Sequence, residues 1–263
     1  MAIPLITAPN LSSIKGLIHG FTTRIGGVSV SPYASCNLGM ATGDEDDSVR
    51  RNYRLLADEL GTTVESFLGL RQMHGGDVVV ADPEASASDP LEAFRFAPSG
   101  DAIVTDHRGV LLFARVADCF PILLVDERNG AIGAVHAGWR GTLARVIPNA
   151  VRRMSAEFGT DPADLTMAVG PGIGLPAFEV SVAIAEMFEE QLDAQEGEIV
   201  KDEVSAQIDL AAILIRQARG EGIRADRIWS CGFCTHGDPG RFFSYRREGR
   251  RTGRMIGFIG WRS

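Results

Sequence analysis

The chain has 263 residues, of which 45% are hydrophobic and 23% are charged, and its formal net charge is −8. This composition is typical of a folded globular protein and excludes collagen-like, extensively disordered and membrane-embedded chains. The negative charge would repel a nucleic-acid backbone, so we expect no nucleic-acid partner. No segment approaches the roughly 18 apolar residues of a membrane span, and the N-terminus lacks a signal-peptide pattern. We therefore expect a cytoplasmic protein without a membrane partner.

The N-terminal part of the chain is predicted to contain a strand, a long loop and a helix. The strand is Ile18–Thr22, and the helix is capped by Asp47 and Ser48 and runs to about Leu60, where Gly61 ends it. Short apolar runs separated by Gly, Asp or Pro then predict a region made mostly of sheet. These runs are Phe67–Leu70, Val78–Ala81, Ala102–Val104, Val110–Val116, Pro121–Val125 and Ala131–Val135.

Two of these runs, Val110–Val116 and Pro121–Val125, are apolar throughout apart from Arg115, which is typical of strands covered on both faces. They predict a layered α/β fold. From about Trp139 to Phe158 the apolar residues follow a helical period, and Pro148 should kink that helix or mark its restart. The remaining predicted strands are Leu165–Val169, Ile228–Cys231, Phe242–Tyr245 and Met255–Trp261, and the remaining predicted helices are Val182–Leu192 and Leu210–Arg219.

Neither an internal repeat nor a Pro/Ser-rich linker divides the chain, so we predict one domain that covers residues 1–263. The four cysteines include one close pair, Cys231 and Cys234. A C-x-x-C pair can be redox-active or bind metal, but this pair lacks a thioredoxin-like context and a second pair. Two buried thiols at a strand end are therefore the favoured interpretation. The sequence is compatible with a monomer or a small homo-oligomer.

Three residues form a candidate metal site. His74 and His136 lie beside predicted strand ends among small residues, and Cys119 lies at the turn between two apolar strands. Two imidazoles and a thiolate suit zinc, whose catalytic sites use three protein ligands and leave a fourth position for water or substrate. The alternative is a buried thiol with two hydrogen-bonded histidines, because no short metal-binding spacing links the three residues.

One cluster of basic residues lies near the C-terminus. This cluster is too local for a nucleic-acid surface, and it is interpreted either as a solvated hairpin or as a site for an anionic group of a small substrate. Arginine suits the second role because its guanidinium binds anions through paired hydrogen bonds. The cluster consists of Arg246, Arg247, Arg250, Arg251 and Arg254.

Several motifs are distributed over almost the whole chain: Phe21–Ser29, Tyr33–Gly39, Gln72–His74, Asp101–Asp106, Ala117–Cys119, His136–Gly141, Gly170–Gly174 and Phe243–Arg247. In this order they resemble the multi-copper polyphenol oxidase/laccase-domain family, and the chain is identified as a member of it. The chain departs from the family pattern in lacking cysteines around Gly172 and Pro176. It also has His236 where a tyrosine is common.

The resemblance implies a layered α-β-β-α fold similar to the catalytic domain of cytotoxic necrotizing factor toxins. It further implies a zinc ion bound by His74, Cys119 and His136, with purine nucleosides and phosphate as ligands. The implied reactions are phosphorolysis of adenosine, inosine and methylthioadenosine, and deamination of adenosine. Copper is the alternative metal, because the family has also been interpreted as polyphenol oxidases. Five histidines, however, are too few for a multi-copper array, and zinc is redox-inert.

The two implied reactions need different side chains. Deamination needs a nucleophilic water, which zinc makes available at neutral pH. Asp118 is the candidate proton carrier for this reaction; alternatively, it only shapes its turn. Phosphorolysis needs phosphate held against the sugar carbon. The candidates to neutralise phosphate are Arg24, Arg140 and Arg246, and the candidates to orient hydroxyls or the base are Asn37 and Ser244. We expect Arg24, Asn37, Ser244 and Arg246, which lie near opposite ends of the chain, to converge on the metal pocket.

Two other functions remain open at this point. In a cysteine hydrolase, Cys119 would be the nucleophile and His136 its base, as in the necrotizing factor toxins; editing of muropeptide precursors in cell-wall synthesis is one such role. In a non-enzymatic binding module the zinc would be structural. Structural zinc normally has four protein ligands, and the sequence offers no convincing fourth ligand near this set.

Overall fold

The computed structural model describes residues 2–85 and 88–262 of the chain. Its strands, in chain order, are β1 (Leu5–Ile6), β2 (Leu17–Thr22), β3 (Phe67–Leu68), β4 (Val78–Val80), β5 (Ala102–Thr105), β6 (Leu111–Val116), β7 (Phe120–Asp126), β8 (Ala131–Ala137), β9 (Thr166–Val169), β10 (Glu179–Ser181), β11 (Ile199–Lys201), β12 (Ser205–Ile208), β13 (Ile228–Ser230) and β14 (Met255–Trp261). Its helices are α1 (Pro9–Ser12), α2 (Asp46–Leu60), α3 (Pro90–Phe96), α4 (Trp139–Leu143), α5 (Val146–Phe158), α6 (Val182–Leu192), α7 (Leu210–Gly220) and α8 (Tyr245–Glu248).

The strands form two large mixed sheets and one small sheet. The five-stranded sheet has the order β1-β2-β14-β6-β3, and the six-stranded sheet has the order β13-β9-β7-β8-β5-β4. The small sheet has the order β10-β12-β11 and was not predicted. The last strand of the chain, β14, pairs antiparallel with both β2 and β6, so it joins the N-terminal part to the middle of the chain.

The apolar side chains separate into layers because successive residues of a strand point to opposite faces of its sheet. In β7, Ile122 and Leu124 pack against the helices α5, α6 and α7, whereas Leu123 and Val125 pack against the five-stranded sheet. Phe113 of β6 packs on the far side of that sheet, against α2. These two largely apolar strands are thus covered on both faces, as predicted, and the layers follow the order helix, sheet, sheet, helix.

The predicted helix from Trp139 to Phe158 consists of two helices, α4 and α5. They meet at Arg145, whose φ of 58° is left-handed. Pro148 is the third residue of α5, and it does not kink the helix because a first-turn N–H has no partner within the helix. The restart was therefore predicted, but it lies before the proline.

The predicted strand Phe242–Tyr245 is wrong. Phe242 and Phe243 are buried together with Met255 without joining a sheet, and Ser244 caps the short helix α8. Its hydroxyl accepts a hydrogen bond from the backbone N–H of Arg247 at 3.2 Å. The arginine cluster therefore begins inside this helix, with Arg246 and Arg247, and the hairpin interpretation is also wrong.

The N-terminal helix is close to its prediction, since α2 begins one residue before the predicted cap and ends at Gly61 with a φ of 65°. Among the helices that the structure describes, none has the length and the apolar composition needed to cross a membrane.

Candidate active site

One buried carboxylate, that of Asp101, organises the candidate site. It accepts hydrogen bonds from the backbone N–H groups of Met73, His74 and Gly75 at 3.2, 2.9 and 2.7 Å. The same carboxylate contacts Nδ1 of His136 at 2.8 Å, and the Asp101 carbonyl accepts from the His136 backbone N–H. Asp101 therefore ties the His74 loop to strand β8. It lies in a motif of the sequence, but no role was predicted for it.

The three predicted ligands come together. His74 is exposed on its loop with a left-handed φ of 61°, Cys119 immediately precedes β7, and His136 is buried on β8. Their ligand atoms all lie within 4.8 Å of one another, and the two imidazole rings meet edge to face. Since Asp101 occupies Nδ1 of His136, the Nε2 atom of that ring is left for the thiol or a metal ion.

Gly138 gives the thiol its space. A Cβ atom at this position would lie 2.7 Å from the Cys119 sulfur and 3.8 Å from the Cδ2 atom of His74. Atoms cannot approach that closely without a shift, so any larger residue at this position would displace the Cys119 sulfur from the cluster.

The cluster stabilises a thiolate. Burial opposes ionisation of Cys119, but the positive charge of His136 and hydrogen bonds from His136 and His74 outweigh it and lower the pKa of Cys119 to about 6. Burial likewise opposes the charge on His136, but the Cys119 thiolate and the Asp101 hydrogen bond raise the pKa of His136 to about 9. A thiolate is the form of cysteine that binds metals and attacks electrophiles.

The residues fit one metal ion. Imidazole nitrogen and thiolate sulfur are both donors that zinc accepts, and catalytic zinc sites use three protein ligands and keep a further position open. The carboxylate on His136 is the partner that metal-binding histidines usually have on their second ring nitrogen. Among the described residues, no other group of three or more His, Cys, Asp or Glu side chains places its ligand atoms so closely. The structure thus contains a possible His-Cys-His metal site.

The cluster opens into a cleft with a volume of about 640 Å³. The lining is positively charged, whereas the whole chain is negatively charged. Five of its lining residues are arginines, and Asp118 is the only acidic residue among the described lining residues. Such a cleft concentrates anions. The arginines are Arg71, Arg115, Arg140, Arg246 and Arg254, of which Arg71 and Arg115 were not predicted.

Arg140 and Arg246 are the predicted phosphate-binding arginines that reach the cleft. Arg140 is exposed, its guanidinium stacks 4.2 Å above the Trp139 ring, and no acceptor hydrogen-bonds it within the described residues. Nη1 of Arg246 donates to the carbonyls of Ala177 and Glu179 at 3.2 and 2.9 Å. These carbonyls hold the Arg246 guanidinium at the cleft.

Asp118 borders the cleft with a left-handed φ of 90°. One carboxylate oxygen accepts from the Thr235 hydroxyl at 2.7 Å, and the other accepts from the Arg246 backbone N–H at 2.6 Å. Its own carbonyl accepts from the Ile173 N–H. Because both oxygens are engaged, this placement favours a role in shaping the turn over proton transfer.

Arg24 lies behind the cleft. Its guanidinium donates to the carbonyls of Ala34 and Pro239, pairs with Glu248 at 2.9 Å, and stacks 4.5 Å above the Phe243 ring. It therefore joins the N-terminal motif to the C-terminal motif, and it is not among the residues that line the cleft.

Asn37 and Ser244 also lie behind the cleft. The buried Asn37 side-chain oxygen accepts from the backbone N–H groups of Gly39 and Arg254, both at 2.8 Å, and both of those residues line the cleft. Ser244 is buried as the cap of α8. Of the four residues expected to converge on the cleft, Arg246 lines it, whereas Arg24, Asn37 and Ser244 hold neighbouring segments.

The C-x-x-C pair lies outside the residues that line the cleft. Cys231 and Cys234 are free and half-buried, and the Cys234 sulfur accepts from the Gly174 backbone N–H at 3.2 Å. His236 is also absent from that lining; its carbonyl accepts from Arg247.

Known proteins resemble the chain over nearly its full length. The profile of a family described as multi-copper polyphenol oxidoreductase laccase matches residues 18–262. The chain belongs to this family. It is 40% identical over 260 residues to a purine nucleoside phosphorylase of Deinococcus radiodurans, covering 98% of this chain and 93% of that protein. A purine nucleoside phosphorylase of Bacteroides thetaiotaomicron is 35% identical over 253 residues, with 95% and 93% covered.

The fold of this family member is likewise close to a solved structure. The crystal structure of YlmD from Geobacillus stearothermophilus superposes with a TM-score of 0.90 at 30% identity, covering 97% of this chain and 94% of that one. Both chains share a mixed α/β fold with several sheets. The family that the motifs indicated is therefore confirmed.

Proposed function

We propose that this chain is a zinc-dependent purine nucleoside phosphorylase that also deaminates adenosine, with residues 1–263 acting as one domain. The observation that carries the proposal is the cluster of His74, Cys119 and His136 at an arginine-lined cleft. A soft three-ligand set suits zinc, and the arginines suit phosphate. The names of the relatives in Deinococcus and Bacteroides support the same activity. We propose adenosine, inosine and methylthioadenosine as substrates.

In phosphorolysis, an oxygen of phosphate bonds to the anomeric carbon of the sugar while the bond from that carbon to the purine nitrogen breaks. The bonding pair passes to the base, which leaves after a proton reaches a ring nitrogen. Arg140 and Arg246 would neutralise phosphate and hold it against the sugar, and the exposed face of Tyr245 would cover the base. When bound by His74, Cys119 and His136, zinc supplies Lewis acidity at the floor of the cleft.

In deamination, the oxygen of a water molecule bonds to the purine carbon that carries the amino group, and ammonia leaves with a proton from that water. Asp118 was the predicted proton carrier. Its two occupied oxygens support the alternative, in which it holds the Arg246 backbone beside the cluster. Deamination therefore relies on the same cluster but not on the phosphate-binding arginines.

Single substitutions test the proposal. Zinc content and base release from inosine with phosphate should both be lost in His74→Ala, Cys119→Ala and His136→Ala, while Cys231→Ala should keep both. Arg140→Ala should raise the KM for phosphate but leave adenosine deamination unchanged. Roughly stoichiometric zinc in all three ligand variants, or equal base release without phosphate, would refute the proposed reaction.

A cysteine hydrolase is the second candidate, and one observation favours it. The His136 ring contacts the Asp101 carboxylate at 2.8 Å and has a ligand atom within 4.8 Å of the Cys119 sulfur, an arrangement similar to a nucleophile, base and orienting carboxylate. The thiolate would bond to the carbonyl carbon of an acyl substrate, the leaving group would take the His136 proton, and water would release the acid. Editing of muropeptide precursors and likeness to necrotizing factor toxins belong to this candidate. We rank it second because it gives no role to His74.

Two further interpretations have less support. A laccase needs several copper ions, whereas the described residues offer one group of three ligands. A purely structural zinc would need a fourth protein ligand. Copper remains a chemical alternative for a single ion in this site, and metal analysis of the purified protein distinguishes it from zinc.

A further inference from the structure

A second cavity lies beneath helix α3. Its volume is about 500 Å³, within the roughly 300–1,000 Å³ typical of small-molecule sites. Its lining is largely apolar and comes from α2, α3, β3, β4 and the segments beside them. Aromatic rings predominate among the large side chains: Tyr53, Phe67, Phe94, Phe96 and Phe113.

Arg115 borders both this cavity and the arginine-lined cleft, together with Met40 and Phe94. Its side chain is buried, yet the described residues provide no carboxylate partner for it. One guanidinium nitrogen donates to the Leu70 carbonyl and another lies 3.9 Å from the Met40 sulfur. The rings of Phe94 and Phe113 lie 4.7 and 5.3 Å from the guanidinium carbon.

This environment leaves the charge of Arg115 without a counter-ion. Buried charges in proteins are normally paired, and a guanidinium offers five N–H donors. A carbonyl and a thioether satisfy only part of that capacity. The acidic residues of the cavity lining, Asp82 and Glu92, are both exposed to solvent at its rim. The cavity therefore combines an apolar interior with one buried cation, which is complementary to an apolar anion.

The aromatic rings indicate the shape of that anion. The rings of Tyr53, Phe67 and Phe113 meet edge to face, with centroids 5.8 to 6.1 Å apart. Aromatic pairs in this geometry contribute more free energy than their buried area alone provides, so an aromatic ring should bind here better than a flexible apolar chain. We propose that the cavity binds an aromatic carboxylate, with its carboxylate on Arg115 and its ring against Phe67 and Phe113. This cavity is distinct from the cleft of the proposed nucleoside site, although Met40, Phe94 and Arg115 border both.

Calorimetric titration of the full chain with 2-naphthoate tests the proposal, and 2-naphthamide is the neutral control of the same shape. Because charge-assisted hydrogen bonds are strong, we expect the amide to bind at least about 10-fold more weakly. Equal affinities would overturn the assignment of the carboxylate to Arg115, and the absence of naphthoate binding would overturn the site. Neither measurement depends on zinc or on nucleoside turnover. Failure of the proposed enzyme function would therefore leave the test of this cavity valid.

A substitution locates the ligand. Ala93 of α3 lines the cavity but not the cleft, so Ala93→Trp should fill the cavity and abolish naphthoate binding. Ala156→Trp, at an exposed position of α5, should bind naphthoate like the wild type. Circular dichroism checks that both variants are folded. Unchanged naphthoate binding by folded Ala93→Trp would place the ligand elsewhere and overturn the proposal. If Ala93→Trp does not fold, the comparison of naphthoate with naphthamide on the wild-type protein still tests the proposal.

Discussion

At the scale of single residues, Asp101 is the residue on which the candidate site depends most. Its carboxylate fixes the backbone of the His74 loop and the ring of His136, which are far apart in sequence. Groups that orient metal ligands typically contribute 10- to 100-fold in metal affinity. The orientation of both histidines therefore rests on one side chain.

Asp101→Asn should lower zinc affinity by about 10- to 100-fold, because the amide replaces one acceptor oxygen by a donor. Competition with a chromogenic chelator measures the change. Asp126→Asn is the matched control, since its buried carboxylate also accepts backbone N–H groups, those of Arg128 and Asn129, but at the opposite end of β7 from Cys119. Wild-type zinc affinity in Asp101→Asn would contradict the orienting role.

The thiolate of Cys119 gives a second prediction at this scale. An acid with a lowered pKa ionises at lower pH, so in metal-stripped protein thiolate absorbance should rise with a midpoint near pH 6. Burial raises the pKa of Cys36 to about 12 and also raises that of Cys231, so these thiols ionise at higher pH. Cys119→Ser should remove the step, and His136→Ala should move it upward. A step near pH 6 that persists in Cys119→Ser would contradict the assignment.

At the scale of elements, the junction between α4 and α5 is determined by Arg145. Its left-handed backbone tolerates glycine without strain but opposes β-branched residues. Arg145→Gly should therefore leave the free energy of unfolding nearly unchanged, and Arg145→Val should lower it by roughly 1–2 kcal/mol.

The same pair of substitutions at Arg152, inside α5 and exposed, provides the control. There Gly is the unfavourable choice, at about 1 kcal/mol relative to a good helix former, and Val costs less. Urea denaturation measures both series. If glycine is worse than valine at Arg145 as well, the left-handed junction is not what sets the preference.

Periodicity predicted the long elements well but not the short ones. The β6 and β7 strands are predicted correctly because both of their faces are buried, so their residues are apolar on both faces apart from Arg115 and the terminal Asp126. Phe242 and Phe243 gave a similar signal, yet their burial is in a loop that packs against Met255. The strands of the small sheet mix polar with apolar residues, as in Ser205–Ile208, and their pattern was too weak to detect.

The candidate site was only partly predicted, because most of its residues are far apart in sequence. The motifs around His74, Cys119 and His136 identify the cluster. The other residues that line the cleft come from distant parts of the chain and meet only when the chain folds. Arg115 reaches the cleft from β6; its position within a predicted buried strand indicated burial, but not which cavity its side chain would border. Asp101 carried a detectable signal, an acidic residue directly before a buried strand.

At the scale of the whole molecule, the two ends of the chain meet at Glu248. Its carboxylate pairs with Arg24 and Arg247, and it accepts a hydrogen bond from the Thr252 hydroxyl. Burial opposes its charge, but these partners lower its pKa. A carboxyl with a lowered pKa stabilises the fold above its unfolded pKa, and that contribution is lost as the pH falls through the folded value.

Glu248→Gln should therefore lower the melting temperature by a few degrees at neutral pH and by less in acid, where the wild-type carboxyl is itself neutral. Glu157→Gln is the control, because Glu157 and its partner Arg153 are 39% and 44% exposed and exposed pairs contribute little. Thermal unfolding of both variants across the acidic range makes the comparison. A difference between Glu248→Gln and the wild type that grows as the pH falls would contradict this account.

The central claim, that His74, Cys119 and His136 act through one zinc ion in a phosphorolytic enzyme, is tested most directly by metal removal and reloading. Base release from inosine and phosphate should disappear when a chelator strips the protein and should return when zinc is added, because metal and ligands together form the reactive centre. The cysteine-hydrolase alternative requires no metal, and an electrophilic thiol reagent would trap its nucleophile. Full turnover by the stripped protein would contradict the zinc mechanism, and no turnover by the zinc-loaded protein would contradict the proposed substrates.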